Sequence, residues 1–441
     1  MKKLKAFARG LVLALVVLVS VFVWVVLPWW AALVLVAGFA LWMVMLRSGR
    51  RTASVTRVGI STLPQRLGSS SVVVIGIAGV VAVLVALLSM AEGYQETLRK
   101  TGNEDTAIVM RGGSAAEAMS VLTLDNVHVI EQAPGIARDA DGKPLASPEL
   151  VVAASLPLKD AATEDDIGSV LIRGVGDVAW KVRPNVKIVD GRRFRTGMRE
   201  LDVGTGAARQ FGLAPGHSVK LGNQTWKVVG TFESGDAMDS EVWGDAQTVA
   251  STYRRGSSRA SVTARLAGPS AFDQLKAGLA ADPRLAVEVD TTLAYYGKQS
   301  EGITKSIRVV GMVVGSIMAI GALFGALNCM FATVAARARE IATLRAIGFR
   351  GPPVVVAVML ETMLLALLGG ILGGLIAWLL FNGYTASTLA GGVGKLSFRF
   401  HVSAPLLWNG LKWALAIGFI GGLFPAVRAA RLPVTTALRE S

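Results

Sequence analysis

Six long apolar runs constrain the fold of this 441-residue chain more than any other feature. A hydrocarbon core about 30 Å thick is crossed by roughly 20 apolar residues in a helix. The runs are 10–27, 29–46, 72–91, 309–335, 354–381 and 406–427. Hydrophobic residues make up 52% of the chain and its mean hydropathy is +0.51, which ordinary soluble domains do not reach. We therefore predict a polytopic α-helical membrane protein with six transmembrane helices.

The first two runs are interpreted as a retained helical hairpin, residues 1–46. Lysines and one arginine precede the first run, as in a secretory signal. However, the segment VVLPWWAALVLV leads straight into the second run, with no small-residue cleavage site between them.

Basic residues are distributed unequally between the segments that separate the runs. With the N-terminus inside, the cytoplasmic segments are 1–9, 47–66, 337–350 and 428–441. Together they carry 16 Lys or Arg against Glu340 and Glu440, the excess expected of cytoplasmic segments. Segment 92–302 has 24 basic and 28 acidic residues. The net charge of +14 thus reflects topology in a bacterial inner membrane, with both termini cytoplasmic, and we expect no nucleic-acid partner.

Between the third and fourth runs lies a long segment, 92–303, that we predict to be a mixed α+β extracytoplasmic domain. RASVTARLAG alternates as a strand, and SAFDQLKAGLAAD has the pattern of a helix with Ser270 as its N-cap. Apolar residues alternate on both sides of Gly222-Asn223, as in a β-hairpin. The single cysteine, Cys329, lies in an apolar run, so this domain depends on its own core rather than on a disulfide.

The helices that flank this domain are predicted to be longer than a bilayer requires. The pattern at 303–335 corresponds to a helix of about 50 Å. After the third run, Tyr94 and Leu98 keep helical spacing. The two helices either form a stalk that carries the domain or tilt within the membrane.

Catalytic and metal-binding patterns are absent from the sequence. His128, His217 and His401 have no second ligand at metal-binding spacing, and no nucleophile elbow occurs. Gly394-Lys395 lacks the remainder of a phosphate-binding loop and is interpreted as an external turn. We expect no catalytic residue, metal or cofactor in this chain, so ATP and Mg²⁺ would be bound by a partner.

Pairs of glycines four residues apart occur within the last spans, where small residues let helices approach closely. The glycines are Gly311, Gly315, Gly321, Gly325, Gly369, Gly370, Gly373 and Gly374. Packing within the chain and contact between two copies both explain them.

Glu361 is the one acidic residue within a run. An ionisable group at depth is a candidate for function, here proton coupling, but it can also reach the interface or bond to a neighbouring helix.

The charged segment RAREIATLRAIGFR, 337–350, separates two strongly apolar runs. It favours a helix that ends at Gly348, with Pro352-Pro353 as a further stop signal. Ile341, Leu344 and Ile347 share one side, and arginines provide charge. We predict that this helix docks into a groove of a protein partner, with contact to anionic lipid as the alternative.

Three segments resemble the FtsX/MacB-type permeases of ABC transporters, also called type VII or mechanotransmission transporters. They are RAREIATLRAIGF, the span containing LETMLLALLGGILGGLIA, and the C-terminal GGLFPAVRAARLPVTTALRE. GRRFRTGMRELDVGTGAARQFGLAPGHSVKLGNQTWKVVGTFES is similar to the family's MacB-like periplasmic core domain.

The resemblance implies a four-helix permease core, a dimer of permeases, identical or different, and two copies of a separate cytosolic ATPase. It also implies that 337–350 is the coupling helix that contacts this ATPase. The residues so assigned are Arg337, Arg339, Glu340, Ile341, Leu344, Arg345, Ile347, Gly348 and Phe349. The N-terminal hairpin is additional to the family's minimal pattern.

The predicted domains are as follows: hairpin 1–46, basic cytoplasmic segment 47–66, third span 67–91, extracytoplasmic domain 92–303, fourth span 304–336, coupling helix 337–350, and 351–441 with the last two spans. Residues 304–441 form the FtsX-like permease domain. The expected function is that of the transmembrane subunit of an ABC exporter acting on a substrate from the periplasmic side, with a periplasmic adaptor as a further partner. A switch that activates a periplasmic enzyme is the alternative.

Overall fold

A computed structural model describes residues 19–20, 23–61, 63, 67–159, 167–349, 351–390 and 394–431. The chain divides into two compact units. The helical unit comprises Met1–Met90, Ser306–Gly383 and His401–Ser441, and the sheet unit comprises Ala91–Lys305 and Tyr384–Phe400.

The helices, in chain order, are α1 (Trp29–Met45), α2 (Arg47–Ser61), α3 (Leu67–Thr101), α4 (Leu124–Glu131), α5 (Ala179–Val182), α6 (Thr205–Phe211), α7 (Ala246–Thr252), α8 (Ala271–Ala280), α9 (Thr292–Ala336), α10 (Ala338–Ala346), α11 (Gly351–Phe381) and α12 (Ala404–Arg431). The strands are β1 (Thr106–Arg111), β2 (Ala146–Pro157), β3 (Ile167–Val175), β4 (Lys187–Gly191), β5 (Glu200–Gly204), β6 (Ser218–Leu221), β7 (Gln224–Glu233), β8 (Glu241–Asp245), β9 (Ser261–Arg265), β10 (Val287–Thr291), β11 (Thr385–Ala390) and β12 (Gly394–Arg399). Two 3₁₀ turns lie at Glu117–Met119 and Ala237–Ser240.

Within the described residues, four helices are long and apolar enough to cross a membrane: α3, α9, α11 and α12. A fifth span is present if α1 and α2, which meet at a bend of 97°, are counted together. The predicted run at 10–27 falls mostly outside the described residues. The structure thus has four to five apolar helices, and the predicted six spans are not confirmed.

The long helices of the helical unit pack around a shared apolar core. Val81 of α3, Ala366 of α11 and Ala414 of α12 are among its fully buried side chains. Alanines and glycines recur where α11 meets its neighbours, because close backbone approach supplies the van der Waals contact that holds helices together in lipid.

Lys412 of α12 binds the segment that precedes α1. Its Nζ donates to the carbonyl oxygens of Val25 at 2.6 Å and Leu27 at 3.3 Å, and Trp24 Nε1 donates to the Lys412 carbonyl at 3.1 Å. Residues 23–26 are helical, so the ammonium group satisfies carbonyls where this helical segment ends. The segment before α1 is therefore attached to the core at a defined point.

The sheet unit is built on one mixed sheet of ten strands. Its order is β10-β1-β9-β2-β3-β8-β5-β7-β4, with β6 paired to β7. The pairs β3–β8 and β5–β7 are parallel, and the other pairs are antiparallel. Helices α4 and α8 enclose one apolar core against β1, β9 and β10, while α6 and α7 cover another on the strands from β2 to β8. This is the mixed α and β domain that the sequence predicts.

The local predictions in this unit are confirmed, with one correction. The hairpin joins β6 to β7 through Gly222-Asn223, with Leu221 opposite Gln224. RASVTARLAG contains β9, and α8 begins directly after Ser270. Ser270 occupies the N-cap position without making a side-chain capping bond, because its backbone already has a right-handed helical conformation (φ −86°, ψ −3°).

The two helices that connect the units are longer than predicted. α3 has 35 residues and α9 has 45, which at 1.5 Å per residue is about 68 Å for α9. Within the sheet unit their ends meet: Asn103 N–H donates to Thr292 Oγ1 at 2.8 Å, and Thr292 Oγ1 donates to the Asn103 carbonyl at 3.0 Å. The ends of α3 and α9 that belong to the sheet unit are thus joined by hydrogen bonds, and the stalk stays a prediction.

The segment between α11 and α12, predicted to be an external turn, forms the hairpin β11–β12 and belongs to the sheet unit. Ser397 N–H donates to Ser240 Oγ at 2.9 Å, and Phe398 packs edge-on against Tyr94 with ring centroids 5.6 Å apart. The chain between the last two spans therefore contributes to the fold of the sheet unit.

Candidate functional site

The helix α10 is a separate short helix that follows α9 after a single break. Arg337 lies at the break with a non-helical backbone (φ −104°, ψ 12°). At the other end Gly348 has φ +107°, which a side chain would disfavour, and Phe349 N–H donates to the Leu344 carbonyl at 3.1 Å. The predicted stop at Gly348 is confirmed. Pro352-Pro353 lie beyond this end, as predicted, and belong to the first turn of α11, where their missing N–H groups need no partner.

Arg337 ties α10 to α11 through a buried ion pair. Its Nη1 lies 2.8 Å from Glu361 Oε2, and its Nε lies 3.0 Å from Glu340 Oε2. Only 9% of Arg337 and 3% of Glu361 is exposed. Removal of one member of such a pair leaves the other charge buried alone, which typically costs about 3–5 kcal/mol.

Helix α2 covers this ion pair. A Cβ at Gly59 would lie 3.4 Å from Glu361 Oε2 and 3.6 Å from Arg337 Nη1, so the pair occupies the surface that Gly59 presents. Helices α2, α10 and α11, which are distant in the sequence, thus meet at the Arg337–Glu361 ion pair.

The apolar side chains of α10 do not form one exposed face, contrary to the prediction. Ile341 is buried among Val334, Val354 and Val358, because α10 packs back onto α9 and α11. Ile347, by contrast, is 73% exposed.

Of the residues assigned to partner contact, Arg337 and Ile341 face the protein's own core. Leu344, Arg345 and Phe349 are half-buried, while Arg339, Glu340, Ile347 and Gly348 are exposed. The surface that α10 offers is therefore smaller than the sequence suggests.

Glu361, left open in the sequence as a proton carrier or a structural group, is the partner of Arg337 in the structure. The guanidinium group of Arg337 balances the charge of the Glu361 carboxylate.

Six of the eight predicted packing glycines face another helix of this chain, and the other two do not face a described segment. A Cβ at Gly369 or Gly373 would meet backbone oxygens of α3, and one at Gly370 or Gly374 would meet side chains of α12. Gly311 and Gly315 face Leu87 and Leu84 of α3. Among the described residues, nothing lies within 4 Å of a Cβ placed at Gly321 or Gly325, so no described segment covers their side of α9.

A buried charge cluster in the sheet unit was missed by the sequence interpretation. Arg173 of β3 donates to Glu117, Glu149 and Glu241 at 2.7–3.0 Å, and Arg183 binds Glu149. The available signal was a charged residue within an apolar strand, as in LIRGV and PELVV.

Helix α9 begins beside this cluster. The Tyr295 hydroxyl accepts from Glu117 N–H at 3.1 Å, and Gln299 Nε2 donates to the same hydroxyl at 3.2 Å. Burial opposes ionisation of Glu149, but the neighbouring Arg183 and Arg173 outweigh it and keep the pKa of Glu149 below its ordinary value. Glu149 is thus held ionised between Arg173 and Arg183, close to the start of the longest described helix.

The described residues do not assemble a metal centre from His, Cys, Asp or Glu side chains. No group of three such side chains is placed among them to hold a metal ion. His128 is exposed and lies 3.5 Å from Glu131 on the next turn of α4.

Comparison with known proteins gives matches over most of the chain. The model of the MacB-like periplasmic core domain matches residues 70–282, and that of the FtsX-like permease C-terminal domain matches residues 312–434. An uncharacterized ABC transporter permease, YvrN of Bacillus subtilis, is 25% identical over 402 residues, which covers 83% of this chain and 93% of that protein.

Two solved structures were also matched, both at 16% identity. The extracellular domain of the noncanonic ABC-type transporter YknZ from Gram-positive bacteria gives a TM-score of 0.31, covering 42% of this chain and all of that domain. The periplasmic region of MacB from Actinobacillus actinomycetemcomitans gives 0.32, covering 48% of this chain and 96% of that region.

Proposed function

Because the chain belongs to the FtsX/MacB-type permeases of ABC transporters, we propose that it couples ATP hydrolysis by a separate cytosolic ATPase to movement of the sheet unit, for export of a substrate from the periplasmic side. The family implies the ATPase partner. The sheet unit lies on the extracytoplasmic side in this proposal, and α10 lies in the cytoplasm with both termini.

One observation carries the coupling part of the proposal. α10 directly follows α9, a single helix of 45 residues that starts beside the charge cluster, and the Arg337–Glu361 ion pair fastens the break between them. Force applied to α10 would therefore reach α9 and α11 rather than dissipate in a flexible joint.

Ile347 and Arg339 form the proposed docking surface, because both are exposed on α10. An apolar side chain that is 73% exposed beside arginines suits insertion into a groove of a protein partner.

The test uses the permease and its ATPase reconstituted together. Ile347→Asp should lower permease-stimulated ATP hydrolysis at least tenfold, since it places a charge in an apolar contact, whereas Ile347→Leu should retain most of it. Normal stimulation in the Asp variant would contradict docking through α10.

We further propose that two copies of a permease associate through the open side of α9. Gly321 and Gly325 are unobstructed there, and Ile317 and Phe324, 65% and 61% exposed, flank them. A surface of this kind can also contact lipid alone. The oligomeric state of the glycine variants distinguishes association of two copies from lipid contact.

Export is favoured over activation of a periplasmic enzyme because the sheet unit matches the MacB-like core domain. An adaptor protein is then an expected partner. Its gene beside that of the ATPase would support export, and a cell-wall hydrolase gene in that position would support the switch.

A further inference from the structure

Helix α2 has one face composed mainly of arginine. Arg47, Arg50, Arg51 and Arg57 are all exposed, and α2 contains no acidic residue. The proposed docking through α10 does not use these side chains.

The other face of α2 is occupied by the protein itself. Thr52, Val55, Thr56 and Gly59 are buried, at the spacing of one helical side. Gly59 covers the Arg337–Glu361 pair, and Val55 lies in the same cleft as Val354 and Val358. α2 is therefore fixed against the rest of the helical unit, and its arginines point away from that contact.

The direction of α2 follows from the bend before it. α1 is a wholly apolar helix, and α2 turns from it by 97°. Gly49 is required at the bend, because a Cβ there would collide with the Trp42 carbonyl. A helix perpendicular to an apolar span and rich in arginine lies along the membrane surface rather than in its core.

We propose that the arginine face of α2 binds the phosphate headgroups of anionic phospholipids in the leaflet that α2 borders. Guanidinium groups bind phosphate through two parallel hydrogen bonds, and clustered basic residues next to a span are attracted to anionic lipid surfaces. A protein groove is disfavoured as the occupant because such docking uses repeated apolar anchors, whereas Ile60 is the one exposed large apolar residue among the side chains of α2 that the structure describes.

Lipid binding at α2 has a consequence for the proposed coupling, and this consequence depends on the proposed function. The helix that holds the headgroups also covers the ion pair that fastens α10. Anionic lipid therefore keeps α2 seated on that pair, and ATPase stimulation by the permease is higher in anionic than in zwitterionic membranes.

The binding test uses the purified full-length permease without ATPase or nucleotide. The protein is reconstituted in vesicles of phosphatidylcholine with or without phosphatidylglycerol, re-extracted, and its retained phospholipids are identified by mass spectrometry. Wild-type protein should retain phosphatidylglycerol in preference to phosphatidylcholine, and high salt should reduce that preference. The R47Q/R50Q/R51Q/R57Q variant should lose about tenfold or more of it.

Two controls keep the result interpretable. The R47K/R50K/R51K/R57K variant retains the charge and should retain most of the preference, and R209Q/R254Q in the sheet unit should leave it unchanged. If the fourfold glutamine variant does not insert, the single R57Q variant and the salt dependence of the wild type provide the measurement.

Equal retention of the two lipids by wild-type protein would overturn the proposal. So would a glutamine variant that keeps its phosphatidylglycerol but no longer binds the ATPase, because α2 would then be a protein-docking surface. Retention is measured without the ATPase, so failure of the proposed coupling leaves this result intact.

Discussion

At the scale of single residues, the buried charges of the two units have different consequences. Arg337 and Glu361 form a pair of opposite charges, and Arg173 is surrounded by three glutamates, one of which also binds Arg183. Asp202 of β5 is different: its Oδ2 accepts from Phe194 N–H at 3.1 Å, while its fully buried Oδ1 has no hydrogen-bond partner among the described residues.

Burial raises the pKa of Asp202 to about 7, and Arg192 nearby only partly offsets it. The stabilisation that comes from holding this carboxyl protonated is complete below its ordinary pKa of 3.8 and is lost as pH rises to about 7. Asp202→Asn should therefore unfold at a higher temperature than wild type at pH 8, with a smaller difference at pH 4. Thermal unfolding of the intact protein as a function of pH measures this, and a pH-independent difference would contradict the assigned pKa.

The ion pair at the start of α10 allows a test of its own. Glu361→Gln and Arg337→Gln should each destabilise the protein strongly, because each leaves one buried charge unpaired. The double variant Arg337→Gln/Glu361→Gln should be less damaging than the sum of the two single changes. Denaturant unfolding in detergent provides the three free energies, and strict additivity would show that the two side chains do not interact in the folded protein.

At the scale of elements, sequence patterns predicted those features that depend on local periodicity. The apolar runs that became α3, α9, α11 and α12, the hairpin β6–β7 and the end of α10 at Gly348 are of this kind. Long-range pairing was not predictable in the same way. Nothing near Arg337 in the sequence specifies Glu361, 24 residues away, or Gly59, and so the burial of Ile341 and Arg337 was missed.

The effect of replacing a glycine in a span depends on which atoms surround it, not on its spacing from the next glycine. Gly373→Leu should destabilise the monomer, because its Cβ would collide with the Ala78 backbone. Gly325→Leu, in open space, should leave monomer stability unchanged and weaken association of two copies. Thermal unfolding and size-exclusion chromatography with light scattering separate the two effects. Loss of stability in the Gly325 variant would mean that α9 packs against another part of this chain.

At the scale of the whole molecule, the distribution of charge along the chain supports the proposed orientation. α2 and α10 carry basic residues at one end of the helical unit, as expected for cytoplasmic segments, and the sheet unit carries the acidic excess. The periplasmic match of the sheet unit fits this arrangement.

Labelling of single cysteines tests that orientation directly. In a Cys329→Ser background, a cysteine at the exposed Ser257 of the sheet unit should react with a membrane-impermeant maleimide in intact spheroplasts. A cysteine at the exposed Ser54 of α2 should react only after the membrane is opened, because the intact bilayer keeps the reagent out of the cytoplasm. The opposite pattern would place α10 on the outside, out of reach of any cytosolic ATPase. Since the proposed coupling needs α10 on the cytoplasmic side, where a cytosolic ATPase can reach it, this one result decides whether that coupling can operate in the cell.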